Sequence, residues 1–206
     1  NRCRYYFGTI ESNSTDAALR VKPTKVMPAL MSKVSFTGLV GSNQKGTGLY
    51  IDPSVENVCT NRFEGTDISG FDKGVYIGDA AKKNLATHGS GKCDTNWFWF
   101  SYIRMCNTCV WEKGRGVDDG VLNVNVDASI PDSIGIRTAA MYGKWYLIMG
   151  TWNRKGTKTV VLDPGASHNV MEVHPPIEEF EWEDNSGNPT NVILSTKRFP
   201  FTIASF

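Results

Sequence analysis

Four residues near the middle of the chain have the types and spacing of a metal site. His88, Cys93, Cys106 and Cys109 follow the pattern H-x4-C-x12-C-x2-C, and zinc takes four thiolate or imidazole ligands in a tetrahedron. The competing reading is disulfide cysteines beside an unrelated loop histidine. Val110-Trp111 follows Cys109 where a metal-binding knuckle usually has a glycine. The flanking segments read as strands, in which residues three apart point to opposite faces. The disulfide reading is preferred, and no metal or cofactor is expected. Cys3 and Cys59 bring the cysteines to five. The simplest oxidised arrangement is two disulfides and one leftover thiol, with the connectivity open.

Acid–base chemistry has fewer candidates. Glu178, Glu179, Glu181, Glu183 and Asp184 form a dense acidic run; paired carboxylates can act on a glycosidic bond or hold calcium. They alternate with Phe180 and Trp182, so a charged outer strand face is the simpler account. The histidines are His88, His168 and His174. A hydrolase would need His168 or His174 to meet Asp163 or Glu172. There is no Gly-x-Ser-x-Gly elbow, and the glycines at 38, 41, 46 and 48 lack the Gly-Lys-Ser/Thr of a phosphate loop. No catalytic residue is assigned, and a non-enzyme is expected.

Two short stretches resemble known families. Val160–Asn169, with Asp163-Pro164-Gly165-Ala166, resembles the active-site turn of retroviral-type aspartic proteases. Pro164 stands where that family has a hydroxyl residue, and the chain after it is too short for the flap. A tight Asp-Pro-Gly turn explains the same residues. Gly143-Lys144-Trp145 resembles the opening signature of lipocalins, but too little chain follows to close such a barrel. Neither resemblance is carried further.

The elements that would position any site are strands. Val34 and Phe36 alternate with Lys33, Ser35 and Thr37, and Leu122, Val124 and Val126 with Asn123, Asn125 and Asp127; period two is the mark of a half-buried strand. Trp145–Trp152 and Thr157–Leu162, joined through Asn153-Arg154-Lys155-Gly156, read as a hairpin. Asp184–Pro189 reads as a second turn, joining the Phe180 strand to Val192–Leu194, and Phe199–Phe206 as a last strand. Helix signals are confined to Ala80–Ala86, capped by Asp79, and to a turn from Ser14 or Asp16 through Leu19. The expected fold is a single mainly β domain over residues 1–206, an antiparallel β-sandwich or barrel-like domain with one or two short helices. No internal repeat is evident. The run Trp97-Phe98-Trp99-Phe100 has rings at adjacent positions. It is either buried on both faces or offers one face to a partner.

Composition limits the function. With 22 Lys and Arg against 21 Asp and Glu, the chain lacks the cationic surplus that binding nucleic acid demands. No apolar run is long enough to span a membrane. The start at Asn1, the disulfides and the sequon Asn13-Ser14-Thr15 point to an extracellular or virion-surface location. The expected function is a non-enzymatic glycoprotein domain that binds a receptor, partner protein or glycan through loop tips and exposed aromatics. Candidate ligand-binding residues are Tyr5 and Tyr6, Arg115 in the Gly114–Gly120 loop, and Asn153, Arg154 and Lys155. The alternatives are a structural β-sandwich subunit of a viral or other shell, which makes an oligomer possible, and a secreted hydrolase.

Overall fold

The computed structural model describes residues 3–23, 29–30, 32–56, 58–78, 93–94, 96–113, 122–127, 130–140, 144–149, 156–174 and 181–195. In chain order the strands are β1 (Arg4–Ser12), β2 (Ala17–Val21), β3 (Ala29–Leu30), β4 (Lys33–Gly41), β5 (Thr47–Ile51) and β6 (Val58–Cys59). They continue with β7 (Arg62–Ser69), β8 (Lys73–Ile77), β9 (Cys93–Asp94), β10 (Trp97–Arg104), β11 (Thr108–Glu112) and β12 (Leu122–Asp127). The last six are β13 (Ile134–Thr138), β14 (Lys144–Met149), β15 (Lys158–Leu162), β16 (Val170–His174), β17 (Trp182–Asp184) and β18 (Val192–Ser195).

The strands form a parallel β-solenoid. A first sheet runs β1-β4-β7-β10-β12-β14-β16-β18, a second β2-β5-β8-β11-β13-β15-β17, and a short third β3-β6-β9. The pairings are parallel throughout the described strands. Each pass of the chain lays one strand on each sheet and then climbs to the next coil. This overturns the antiparallel sandwich or barrel. The expected hairpin does not form: β14 belongs to the first sheet and β15 to the second, and each pairs with its counterpart one coil away. The same holds for β17 and β18.

The reason lies at the corners. A hairpin turn reverses the chain, whereas here one or a few left-handed residues bend it from one sheet to the next. Asn43, Gln44 and Gly46 lie between β4 and β5, Gly70 between β7 and β8, Met105 between β10 and β11, and Asp132 between β12 and β13. At Gly70, with φ of 78°, a Cβ would lie 2.4 Å from the Gly41 carbonyl oxygen of the coil below. Ser14 and Asp16, read as a helix start, cap a corner instead: Ser14 Oγ accepts from Asp16 N at 3.0 Å, and β2 begins at Ala17. The expected helix over 79–86 and last strand over 199–206 lie outside the described residues. Among the described residues there is no helix, hence none long and apolar enough to cross a membrane.

Inward residues stack in columns that form one core. Val34, Phe63 and Phe98 are in register and buried, and the Phe63 and Phe98 rings lie 5.0 Å apart. Next to them, Phe36 and Phe100 stack at 5.8 Å across Gly65. A Cβ on Gly65 would sit 2.1 Å from the Phe36 ring. A repeat does exist, then, although it is carried by position and burial rather than by identity. Arg4, Lys33 and Arg62 are in register, so the first two coils are equally long; later coils differ.

One polar column runs beside the core, with Asn61, Asn96 and Asn169 buried and Ser32 and Asn191 half-buried. Ser32, Asn61, Asn96, Asn169 and Asn191 each stand immediately before a first-sheet strand. Asn96 Oδ1 accepts from Asn61 N at 3.0 Å and from Asn61 Nδ2 at 3.2 Å, while Asn96 Nδ2 donates to Val58 O at 2.7 Å. Asn61 Oδ1 in turn accepts from Ser32 N at 3.0 Å. Asn169 and Asn191 repeat the arrangement near the other end, Asn169 Nδ2 donating to Asn191 Oδ1 at 2.9 Å. Each amide satisfies backbone groups at a corner where the sheet ladder is interrupted.

Candidate binding face on the first sheet

Strand β10, WFWFSYIR, divides its rings between the two sides of the sheet. Phe98, Phe100 and Ile103 point into the core, and Trp97, Trp99 and Tyr102 point out. The outward rings are 54%, 55% and 49% exposed. The interval from Phe100 to Ile103 departs from simple alternation, and the β10–β12 register shifts there. The same interval recurs in register on β4 and β7, where Leu39 and Ile68 return to the core as Ile103 does, so Tyr102 joins Asp67 on the outer side. The strand is thus buried on one side only.

The neighbouring coil sets charged residues beside these rings. Arg62 is in register with Trp97, Glu64 with Trp99, and Asp67 with Tyr102. Adjacent strands lie about 4.8 Å apart, and alternate residues along a strand about 6.6 Å apart, so the rings and charges form a close grid. Glu64 takes Lys33 Nζ from one coil below at 2.6 Å and also pairs with Arg62. Asp67 receives both Nε and Nη2 of Arg104, at 3.0 and 3.1 Å. Burial works to raise the Glu64 carboxyl, but the Lys33 hydrogen bond and the Arg62 and Lys33 charges outweigh it. Its pKa is held below the ordinary carboxylate value. Between the coils lies an open cleft of about 380 Å³ lined by Ser35, Arg62, Glu64, Thr66 and Trp99.

Such a face can hold a ligand that is flat and apolar on one side and polar at its edges. Tryptophan and tyrosine provide broad, stiff apolar area. The fixed carboxylates and guanidinium groups provide directed acceptors and donors. Glu64, kept ionised, is an acceptor and not a proton donor at neutral pH.

The outer face of the second sheet is, by contrast, occupied by its own side chains. Tyr50, Tyr76 and Trp111 form a row of tilted rings with centroids 5.0 and 5.5 Å apart. Arg20 lies 4.7 Å over Tyr50 and Arg137 4.9 Å over Trp111. Both arginines are held by carboxylates, Arg20 by Asp52 and Arg137 by Asp163 at 2.8 Å.

The residues singled out from sequence are only partly gathered here. Tyr5 and Tyr6 lie on β1 at the end of the first sheet, Tyr6 being 75% exposed with its hydroxyl 3.1 Å from Thr37 Oγ1. Arg115, Asn153, Arg154 and Lys155 lie outside the described residues, as does His88. Trp97 and Trp99 belong to the aromatic run that could offer one face to a partner, whereas Lys33, Arg62, Glu64, Asp67, Tyr102 and Arg104 were not among the candidates. The signal that leads to them is the offset shared by Arg62-x-Glu64 and Trp97-x-Trp99, which becomes visible once the coils are aligned.

The other candidates resolve individually. Cys3, Cys59, Cys106 and Cys109 carry thiols and not the expected disulfides. No cluster of metal-binding side chains occurs among the described residues. Cys106 is fully buried, and burial pushes its thiol up to about 12. Asp163-Pro164-Gly165 is a turn, with Ala166 N donating to Asp163 O at 3.0 Å. Glu178 and Glu179 lie outside the described residues, and Glu183 pairs with Lys158. Asn13 of the sequon is exposed after β1. Comparison with protein-family models, with curated proteins and with solved structures finds no match to this chain.

Proposed function

We propose that this is a non-enzymatic binding domain whose first sheet holds a glycan, on an extracellular or virion-surface protein; the exposed sequon at Asn13 supports that location, and the thiols at Cys3, Cys59, Cys106 and Cys109 do not. The observation that carries the reading is the row of outward Trp97, Trp99 and Tyr102 beside Arg62, Glu64 and Asp67. A pyranose has an apolar C–H face for the rings and equatorial hydroxyls for the flanking charges. An apolar patch of this kind on a soluble domain marks a recognition surface. A flat, rigid sheet keeps the rings in place, so little order has to be gained on binding. The hydrolase reading has less support, because Asp163 is engaged by Arg137 and Glu64 by Lys33 and Arg62.

The test is calorimetric and fluorescence titration with a panel of soluble neutral and acidic oligosaccharides. Binding should quench tryptophan emission and weaken at least tenfold in Trp99→Ala, in line with the cost of removing a buried aromatic anchor. Trp97→Ala combined with Trp99→Ala should abolish it. A panel without binders, or binding indifferent to both substitutions, overturns the reading.

A further inference from the structure

The described coils leave apolar positions exposed at both ends of the solenoid, in complementary ways. Of the large apolar side chains left exposed, Tyr6 stands on the first coil, and Trp182 and Leu194 on the last described strands of the two sheets. Leu19 of β2 and Trp182 of β17 terminate the same inward column, which passes through Leu49, Val75, Val110, Ile136 and Val160. Every interior member of that column is buried, while Trp182 is 55% exposed. Its neighbouring outward column begins at Arg20 and ends at Glu183. On the first sheet, Tyr6 and Leu194 are the two ends of the outward column that includes Glu64 and Trp99. Among the described residues, the outer edges of β1 and β2, and of β17 and β18, have no further strand beside them.

We infer that a second copy of this chain stacks on the first end to end, its β1 and β2 continuing the sheets beyond β18 and β17. Continuing the columns by one coil sets Leu19 of one copy on Trp182 of the next. It also sets Tyr6 against Leu194, and the positive Arg20 against the negative Glu183. Arg20 and Lys22 share the carboxylate of Asp52, and Lys158 meets Glu183 beside Glu181 and Asp184, so the first end keeps a surplus of positive charge and the last a surplus of negative charge, with matching apolar positions in the register. Each end has its strand edges, and an open edge pairs with any compatible strand. The contact is heterologous, one surface from each end, so it propagates into short stacks instead of closing as a symmetric dimer. It is independent of the glycan reading, since both faces of each sheet remain as they are.

Sedimentation velocity and light scattering of the full 206-residue chain, across roughly a hundredfold range of concentration, test it. Mass should rise with concentration and fall with added salt, which screens the Arg20–Glu183 contact. Tyr6→Lys and Leu194→Lys each alter an exposed outward side chain, and circular dichroism confirms that each is folded. Either should move assembly to at least tenfold higher concentration. Mixed at equal amounts, the two variants should form a dimer that grows no further, because one native end survives on each. A chain that stays monomeric throughout overturns the inference. So does assembly that one substitution abolishes and the other leaves intact, which means a symmetric contact between like ends.

Discussion

Cys106 shows how far a residue's chemistry depends on which way the chain turns beside it. Its Sγ lies 3.3 Å from the Arg104 carbonyl, fully buried behind the corner made by Met105, whose φ is 52°. Burial disfavours the thiolate, and the thiolate is the form that attacks electrophiles and binds metals. With the thiol pushed up to about 12, iodoacetamide at pH 8 should leave Cys106 unmodified in the folded protein and alkylate the half-buried Cys3 first. In denaturant without reductant, Cys3, Cys59, Cys106 and Cys109 should all be alkylated, as peptide mass mapping would show. Protection of any of these four until reductant is added would mean a disulfide. The C-x2-C spacing did not reveal this. It suits a knuckle, a disulfide pair or a buried corner equally, and only the corner's conformation separates them. The rings of Trp97–Phe100 were legible only as a choice between a strand buried on both faces and one open to a partner, and the exposure of Trp97 and Trp99 decides for the second.

At the scale of the element, strands were legible and their partners were not. Leu122–Asp127 and Lys33–Thr37 are strands, as their alternation requires. Alternation reports one wet and one dry face, and a coil of a solenoid has those faces just as a sandwich strand does. Pairing is settled by whether the next corner bends or reverses the chain, which depends on one or a few left-handed residues such as Asn43 and Asp132. The asparagine column escaped notice for a related reason. An asparagine before a strand looks like ordinary turn chemistry, and only alignment of the coils stacks Asn61 on Asn96. Asn96→Ala removes the acceptor for Asn61 N and the donor to Val58 O, both inside the solenoid. Two buried groups left unsatisfied should cost about 2–4 kcal/mol, read as a lowered urea midpoint with little change in slope. A loss below about 0.5 kcal/mol would show that water replaces the amide and that the column is not a structural support.

For the whole molecule, the solenoid is a one-dimensional stack whose stability is a sum of contacts between neighbouring coils. Ion pairs cross most of these junctions: Arg20 to Asp52, Lys33 to Glu64, Arg104 to Asp67, Arg137 to Asp163 and Lys158 to Glu183. The near-neutral composition that argued against nucleic acid is spent partly in this way, on charges that face each other between coils. Burial acts to raise the Asp52 and Glu64 carboxyls, but hydrogen bonds from Ser54 and Arg20 at Asp52, and from Lys33 at Glu64, with the adjoining cations, hold both below their ordinary values of 3.8 and 4.5. A carboxyl with a lowered folded-state pKa binds protons more readily when unfolded. Its contribution is therefore complete above the ordinary value and is lost as the pH falls towards the folded one. Unfolding should thus be insensitive to pH between about 7 and 5 on account of these groups, and should become easier as the pH drops through 4.5 and 3.8. Asp52→Asn should remove about 1.5–3 kcal/mol at pH 7, the worth of a hydrogen bond to a charged group, and flatten the acid limb. Urea midpoints measured from pH 7 to pH 3 for both chains decide it. Parallel acid limbs would place the sensitivity in other carboxylates, and that junction would then rest on its backbone ladder and apolar columns.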